Sequence, residues 1–237
     1  MESAHQLLEV GRLVGTRQVQ PSHTFAPATA PASSLPGLPP TLMLTFDFTT
    51  FPMLSTERLV LRQLISADAP AIFALRSDPL VMQYIPRSLP ASVADAALFI
   101  EQGNEAVGRN EMLSWGIARH SAAEIIGTIG YYHLQPEHHR AEIGYMLRPA
   151  YQGQGFMREA VAAVLAYGFE TLCLHSVAGV IDPQNEASAQ VLKHAGFVQE
   201  GFFRENEFWE GKFLDTAFYS LLCPASRETG STAAHRG

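Results

Sequence analysis

The stretch Arg148–Phe169, RPAYQGQGFMREAVAAVLAYGF, sets two glycines in a turn directly ahead of an alanine-rich apolar run. The run predicts a buried helix over 155–172. Gly153 and Gly155 stand where that helix begins. A helix N-terminus carries unsatisfied N–H groups and a partial positive charge, so it holds an anion wherever no side chain obstructs it. Glycine removes the obstruction, although a plain glycine turn into a core helix leaves the same trace.

The flanking segments place this helix in a larger pattern. ERLVLRQL (Glu57–Leu64) alternates and predicts a strand. Ser66 and Asp68 offer N-caps for a helix through Arg76, and a second helix is predicted over Ser92–Val107. Met112–His120 and Glu124–Leu134 predict a hairpin, and His139–Arg148 a third adjacent strand. After the long helix come a strand (His175–Ile181), a helix closed by glycine (Asn185–Gly196) and a strand pair turning at Glu210–Lys212. Strands in hairpins with helices at intervals indicate an α+β domain.

Upstream, Val19–Thr41 is a Pro/Ala/Ser/Thr tract with almost no charge, which cannot bury enough apolar surface to offset its ordering entropy. Residues 1–50 are therefore expected as a disordered extension, 51–223 as the folded domain and 224–237 as a disordered tail. Met43 is an alternative start, and Leu44–Phe51, with Phe46 and Phe48 alternating, is a candidate docking strand.

The net charge is −7 and only two of sixteen basic residues are lysine, with no basic cluster, so duplex nucleic acid is not expected as a partner. No apolar run is long enough to span a membrane, and no secretory signal is evident, so a cytoplasmic protein is expected. Cys173 and Cys223, each beside leucine, are expected as small buried hydrophobes in a reducing compartment. His133, His138 and His139 with Glu137 lack ligand spacing, and no metal site is expected.

Three phosphate-binding plans put glycine before a helix. The P-loop run is absent, and Gly153-Gln-Gly155 lacks the third glycine of the dinucleotide fingerprint. The third plan, Q/R-x-x-G-x-G/A, is met at five of six positions by Gln152–Met157, with Met157 as the exception. This hexapeptide, with TERLVLRQL, AEIGYMLRPAYQGQGFMREA, DPQNEASAQVLKHAGF and EGKFLDTAFYSLL in order, resembles the GNAT superfamily of acyl-CoA N-acyltransferases. Within it the likeness is to the branch of ribosomal-protein N-terminal-amine acetyltransferases, which has relatives acting on polyamines and antibiotics. It covers about Phe51–Cys223.

The resemblance implies a twisted, mostly antiparallel mixed sheet with splayed central strands and flanking helices. Acetyl-CoA would lie in the gap between Ala141–Arg148 and His175–Ile181. Backbone groups of Tyr145, Met146 and Leu147 would pair with the pantetheine arm. Amides of Gln152, Gly153, Gln154, Gly155, Phe156 and Met157 would take the pyrophosphate. Asn185 would contact pantetheine, although its position equally suits an N-cap helped by Ser188. Ser188 is a candidate proton donor to the leaving thiolate, because the tyrosine that other branches use is replaced by Leu192.

Glu142 shares a strand face with Gly144 and Met146 and is the candidate general base; a structural carboxylate, or a base acting through water, is the alternative. Met82 and Tyr84 fall where acceptor-side loops lie. The expected activity is acetyl transfer from acetyl-CoA to a primary amine, such as a protein N-terminus, by a monomer or homodimer. A small-molecule acetyltransferase and a catalytically silent CoA-binding domain are the alternatives.

Overall fold

In the computed structural model the described residues are 43–224. The tracts at 1–42 and 225–237 lie outside them. Alternation along the strands separates the sheet into two faces. Leu113, Trp115 and Ile117 of β3 (Leu113–Arg119) point into one core, and Ala118 into another. The larger core lies under α4 (Phe156–Glu170), whose Phe156, Met157, Ala160, Val161, Val164, Leu165 and Gly168 form one buried stripe at helical spacing. The smaller core lies under α1 (Ala69–Arg76) and α3 (Val93–Gly108), through Ile72, Ala96 and Ile100.

The remaining elements are β1 (Leu54–Ser55), β2 (Leu59–Arg62), α2 (Pro79–Met82), β4 (Ala122–Gln135), β5 (Arg140–Leu147), β6 (Ser176–Ile181), α5 (Glu186–His194), β7 (Val198–Trp209) and β8 (Lys212–Leu222). They make one eight-stranded sheet in the order β1-β2-β3-β4-β5-β6-β8-β7. Every pairing is antiparallel except β5 with β6. The α+β architecture expected from the sequence is the one found.

Local chemistry explains most boundaries. The Ser92 hydroxyl oxygen accepts from the Asp95 amide, and the Asp95 carboxylate accepts from the Ser92 amide, a capping box that starts α3. Gly196, at φ +92°, ends α5 with a Phe197 N–H to Leu192 C=O bond. Glu210 and Gly211, both at positive φ, make the two-residue turn between β7 and β8.

Three expectations need correction. Asp68 does not cap α1; its carboxylate binds the Ile65 amide and the Arg62 guanidinium, because Ser66–Asp68 folds into a 3-10 turn that points it back at β2. Leu44–Phe51 adds no strand. Phe46 and Phe48 stack at 5.9 Å and are buried, but the backbone binds only scattered partners, Pro136 O and Asn110 Oδ1, and meets no continuous edge. Packed residues thus begin ahead of the expected boundary at 51. Cys173 is exposed, at φ +55°, while Cys223 is half-buried.

Candidate active site

The β5–β6 ladder is short. It pairs Arg140 with Ser176, Ala141 with Val177 and Glu142 with Ala178, and ends there. Beyond it, Ile143–Leu147 pair only with β4, and Gly179–Ile181 only with β8. The sheet therefore forks, and Glu142 is on the last closed rung. The unpaired inner edge of β5 carries Tyr145, Met146 and Leu147, and its free polar groups suit an extended chain laid beside it.

At the open end of the fork the chain turns through Pro149–Tyr151 into α4. Gly155 is the N-cap at φ +79°, ψ 0°, a left-handed conformation that a side chain strains, and no side chain caps the helix. Met157, the departure from the six-residue pattern, has its side chain in the main core, as has Phe156. The Gln152 side chain donates to Leu147 O at 2.9 Å and ties the turn to β5. Gln154 Nε2 donates to Ala150 O, and Gly153 stands free at φ +72°.

Residues far away in sequence brace this turn. Arg58 donates from its guanidinium to Gln154 O at 3.0 Å, pairs with Glu159 at 2.6 Å and covers the Phe156 ring at 4.5 Å. A Cβ on Gly155 would stand 3.4 Å from the same guanidinium. Glu159 also accepts from the Thr56 hydroxyl and the Arg58 amide. Burial pushes its carboxyl up, but these bonds outweigh burial and hold it below its usual value.

Across the fork, Asn185 caps α5, its Oδ1 accepting from the Ser188 amide at 3.0 Å. The Tyr145 hydroxyl donates to Ser188 O at 3.2 Å, so Ser188 lies beside that phenol. Burial drives the Tyr145 phenol well above its ordinary value, against the bond to Ser188. Leu192 is fully buried in the core.

At the tip of the β7–β8 hairpin is a cleft of about 360 Å³, lined by Met82, Tyr84, Arg87, Asp182, Trp209 and Glu210 among others. Glu207, on the same hairpin, is within electrostatic reach of Arg87, Glu142 and Asp182. Burial raises its carboxyl, Arg87 opposes this, and Glu142 and Asp182 add to it. Tyr132 lies directly opposite Glu142 in the β4 ladder. A Cβ at Gly144 would come within 3.0 Å of the Tyr132 ring, so that glycine makes room for it. Glu142 is not among apolar groups alone: its Oε2 lies 3.1 Å from His133 Nδ1.

Sequence reasoning missed His133, Arg58, Glu159 and the acidic hairpin residue Glu207. His133 falls in the expected strand Glu124–Leu134, but its left-handed backbone and its contact with Glu142 do not follow from the alternation. Among the described residues no cluster of three metal-ligating side chains occurs, and no helix is long and apolar enough to cross a membrane.

Residues 58–198 match a family described as an acetyltransferase (GNAT) domain. An uncharacterized N-acetyltransferase, YoaA, of Bacillus subtilis (strain 168) is 38% identical over 174 residues, 73% of this chain and 98% of its own length. The crystal structure of the ribosomal-protein-S5-alanine acetyltransferase from Vibrio fischeri superposes with a TM-score of 0.66 at 26% identity, covering 73% of this chain and 97% of that one. The Vibrio cholerae spermidine N-acetyltransferase, in complex with CoA and spermine, shares the fold at a TM-score of 0.63 and 24% identity, covering 71% and 97%. By the family match, the N-acetyltransferase relatives and the forked sheet together, this chain belongs to the GNAT family of N-acetyltransferases.

Proposed function

We propose that the chain transfers the acetyl group of acetyl-CoA to a primary amine that enters by the cleft at Met82, Tyr84 and Trp209. Acetyl-CoA supplies the acetyl group as a thioester. The unpaired β5 edge at Tyr145–Leu147 and the uncapped, side-chain-free start of α4 at Gly155 suit a pantetheine arm and a pyrophosphate. Gln152–Met157 would hold the pyrophosphate, and Asn185 would border the arm while capping α5. Glu142 would take the proton of the acceptor ammonium, and the Ser188 hydroxyl would return one to the departing thiolate. The observation that carries this reading is the position of Glu142, on the last rung before the strands part and within electrostatic reach of Glu207, on the hairpin that borders the cleft.

The acceptor is read as a cationic amine, since Asp182 and Glu210 of the cleft lining, with Glu207 in electrostatic reach of Asp182, outnumber Arg87. A protein N-terminal amine is favoured, in keeping with the relative named for ribosomal-protein S5 alanine acetylation. The cytoplasm is the proposed compartment, because both cysteines are free thiols. The test is Glu142→Gln, assayed by thiol release with N-terminal peptides and small amines. A positioned carboxylate assists by roughly 10²–10⁴-fold, so kcat near pH 7 should fall by that order. The loss should shrink as pH rises through the amine's own value, about 8 for an N-terminus. A variant as fast as wild type at pH 7 removes Glu142 from the mechanism.

A further inference from the structure

We propose that His133 is the positioning residue of the Glu142 carboxylate. Its Nδ1–H donates to Oε2, fixes the side chain at the fork, and leaves Oε1 to meet the acceptor's proton. The inference rests on Glu142 as the base.

Three observations converge on it. The first is the 3.1 Å contact between Nδ1 and Oε2, with both side chains about one-quarter exposed, at 29% and 27%. The second is the backbone. His133 is held at φ +47° inside β4, where the β4–β5 register shifts between Tyr132 and Gln135. A left-handed non-glycine residue costs of order 1–3 kcal/mol unless its surroundings enforce it. The bulge takes His133 out of the regular ladder and re-aims its ring towards the strand partner that ends the closed fork. A continuous strand would place Tyr132 and His133 on opposite faces, and Glu142, opposite Tyr132 in the ladder, would have no imidazole beside it.

The third observation is the other ring nitrogen. Nε2 is buried and has no hydrogen-bond partner among the described residues. An orphaned buried N–H is rarer than an orphaned lone pair, so the neutral ring places its hydrogen on Nδ1, facing the carboxylate. The contact to Glu142 is then a donation from histidine to an acceptor oxygen, the arrangement that orients a carboxylate without taking its proton.

The test compares substitutions that suit a left-handed backbone. His133→Asn keeps a donor near the Nδ1 position, His133→Asp is its isostere with an acceptor there, and His133→Gly has neither. Misplacing a catalytic group by about 1 Å costs up to ~10²-fold, so His133→Gly and His133→Asp should lower kcat about tenfold or more. The KM for acetyl-CoA should stay unchanged, and His133→Asn should return to within about threefold of wild type, since it restores the same donation. In a Glu142→Gln background, His133→Asp should add no further loss. A role confined to structure would move Tm and both backgrounds alike, and would not separate Asn from Asp.

The inference is overturned if His133→Asn is as slow as His133→Asp, if His133→Asp runs at the wild-type rate, or if it costs the same with Gln at 142. Should the glycine variant fail to fold, the Asn and Asp pair decides the matter alone. The two readings fail separately. A Glu142→Gln enzyme at full speed sinks the base itself, whereas an impaired Glu142→Gln beside an unimpaired His133→Asp sinks only the positioning role.

Discussion

Replacing Arg58 by alanine tests whether the glycine turn is held in shape from outside its own motif. Arg58 makes three contacts there: the pair with Glu159, the bond to Gln154 O, and the stack on Phe156. Its side chain is 42% exposed, so solvent screens the ion pair to about 0.5 kcal/mol. The hydrogen bond to a backbone carbonyl adds about 1 kcal/mol. The cation–π contact adds about 0.5 kcal/mol at this exposure. The sum, about 2 kcal/mol, lowers Tm by about 4–8 °C in a domain of this size. Scanning calorimetry measures that.

The functional consequence is separate. Gln154 O is held by the guanidinium one residue before Gly155, and loss of that bond's worth of preorganisation, about 1 kcal/mol, is about a fivefold change in affinity. The KM for acetyl-CoA should therefore rise about fivefold, with kcat at saturation little altered. Arg58→Lys should rescue little of it, since an ammonium cannot span Glu159 and Gln154 O as the planar fork does. A variant with the expected fall in Tm and an unchanged KM would show that the brace serves folding alone, and the argument would be wrong.

Gly155→Ala should weaken acetyl-CoA binding while costing about 1–2 kcal/mol of stability, the strain of a Cβ at φ +79°; titration calorimetry that finds full affinity would refute the anion site. Burial pushes the Asp68 carboxyl up, but the Arg62 and Ile65 bonds outweigh it and leave it lowered, so its stabilisation is present above the ordinary carboxylate range, about pH 4, and is lost as pH falls through the depressed folded value. Asp68→Asn, which leaves Arg62 without its bidentate partner, should cost about 3 kcal/mol at pH 7 and flatten the acid limb of the stability curve, as read by denaturant titration across pH 3–7. Deleting residues 1–42 should leave Tm and activity nearly unchanged, whereas a Tm lower by many degrees would show that the segment docks on the domain.

What the sequence disclosed was periodic or local. Alternation gave β2, strand-like runs around a short polar turn gave β3, β4 and β5, the alanine-rich apolar run gave α4, and Ser92 and Gly196 marked a start and an end. Glycine before an apolar run gave the cap of α4, because a left-handed N-cap is a one-residue requirement. Asp68 was misread because a carboxylate before a helix has two uses, and only the fold brings Arg62 near enough to claim it. Arg58 and Glu159 are 101 residues apart, and no pattern in either neighbourhood points to the other.

His133 was hidden for a different reason. Counting along β4 by twos places its ring on the face away from Glu142, and the count fails at the bulge. The same failure recurs in β7, where Glu205, at φ +51°, shifts the register between Phe203 and Glu207. Beyond that shift lie Glu207 and Trp209, one interacting electrostatically with Glu142 and the other lining the cleft proposed for the acceptor. Within the strands, both non-glycine residues with positive φ therefore lie at register shifts, one bonded to Glu142 and the other placed two residues before a carboxyl that interacts with it. Regular alternation builds the two cores, and a strand that must serve a core on one side and a reaction on the other departs from it at the point where a side chain is re-aimed. Within HLQPEHHR the residue that reaches Glu142 is His133, the irregular residue of β4, and the bulge rather than the cluster of histidines around it marks that position.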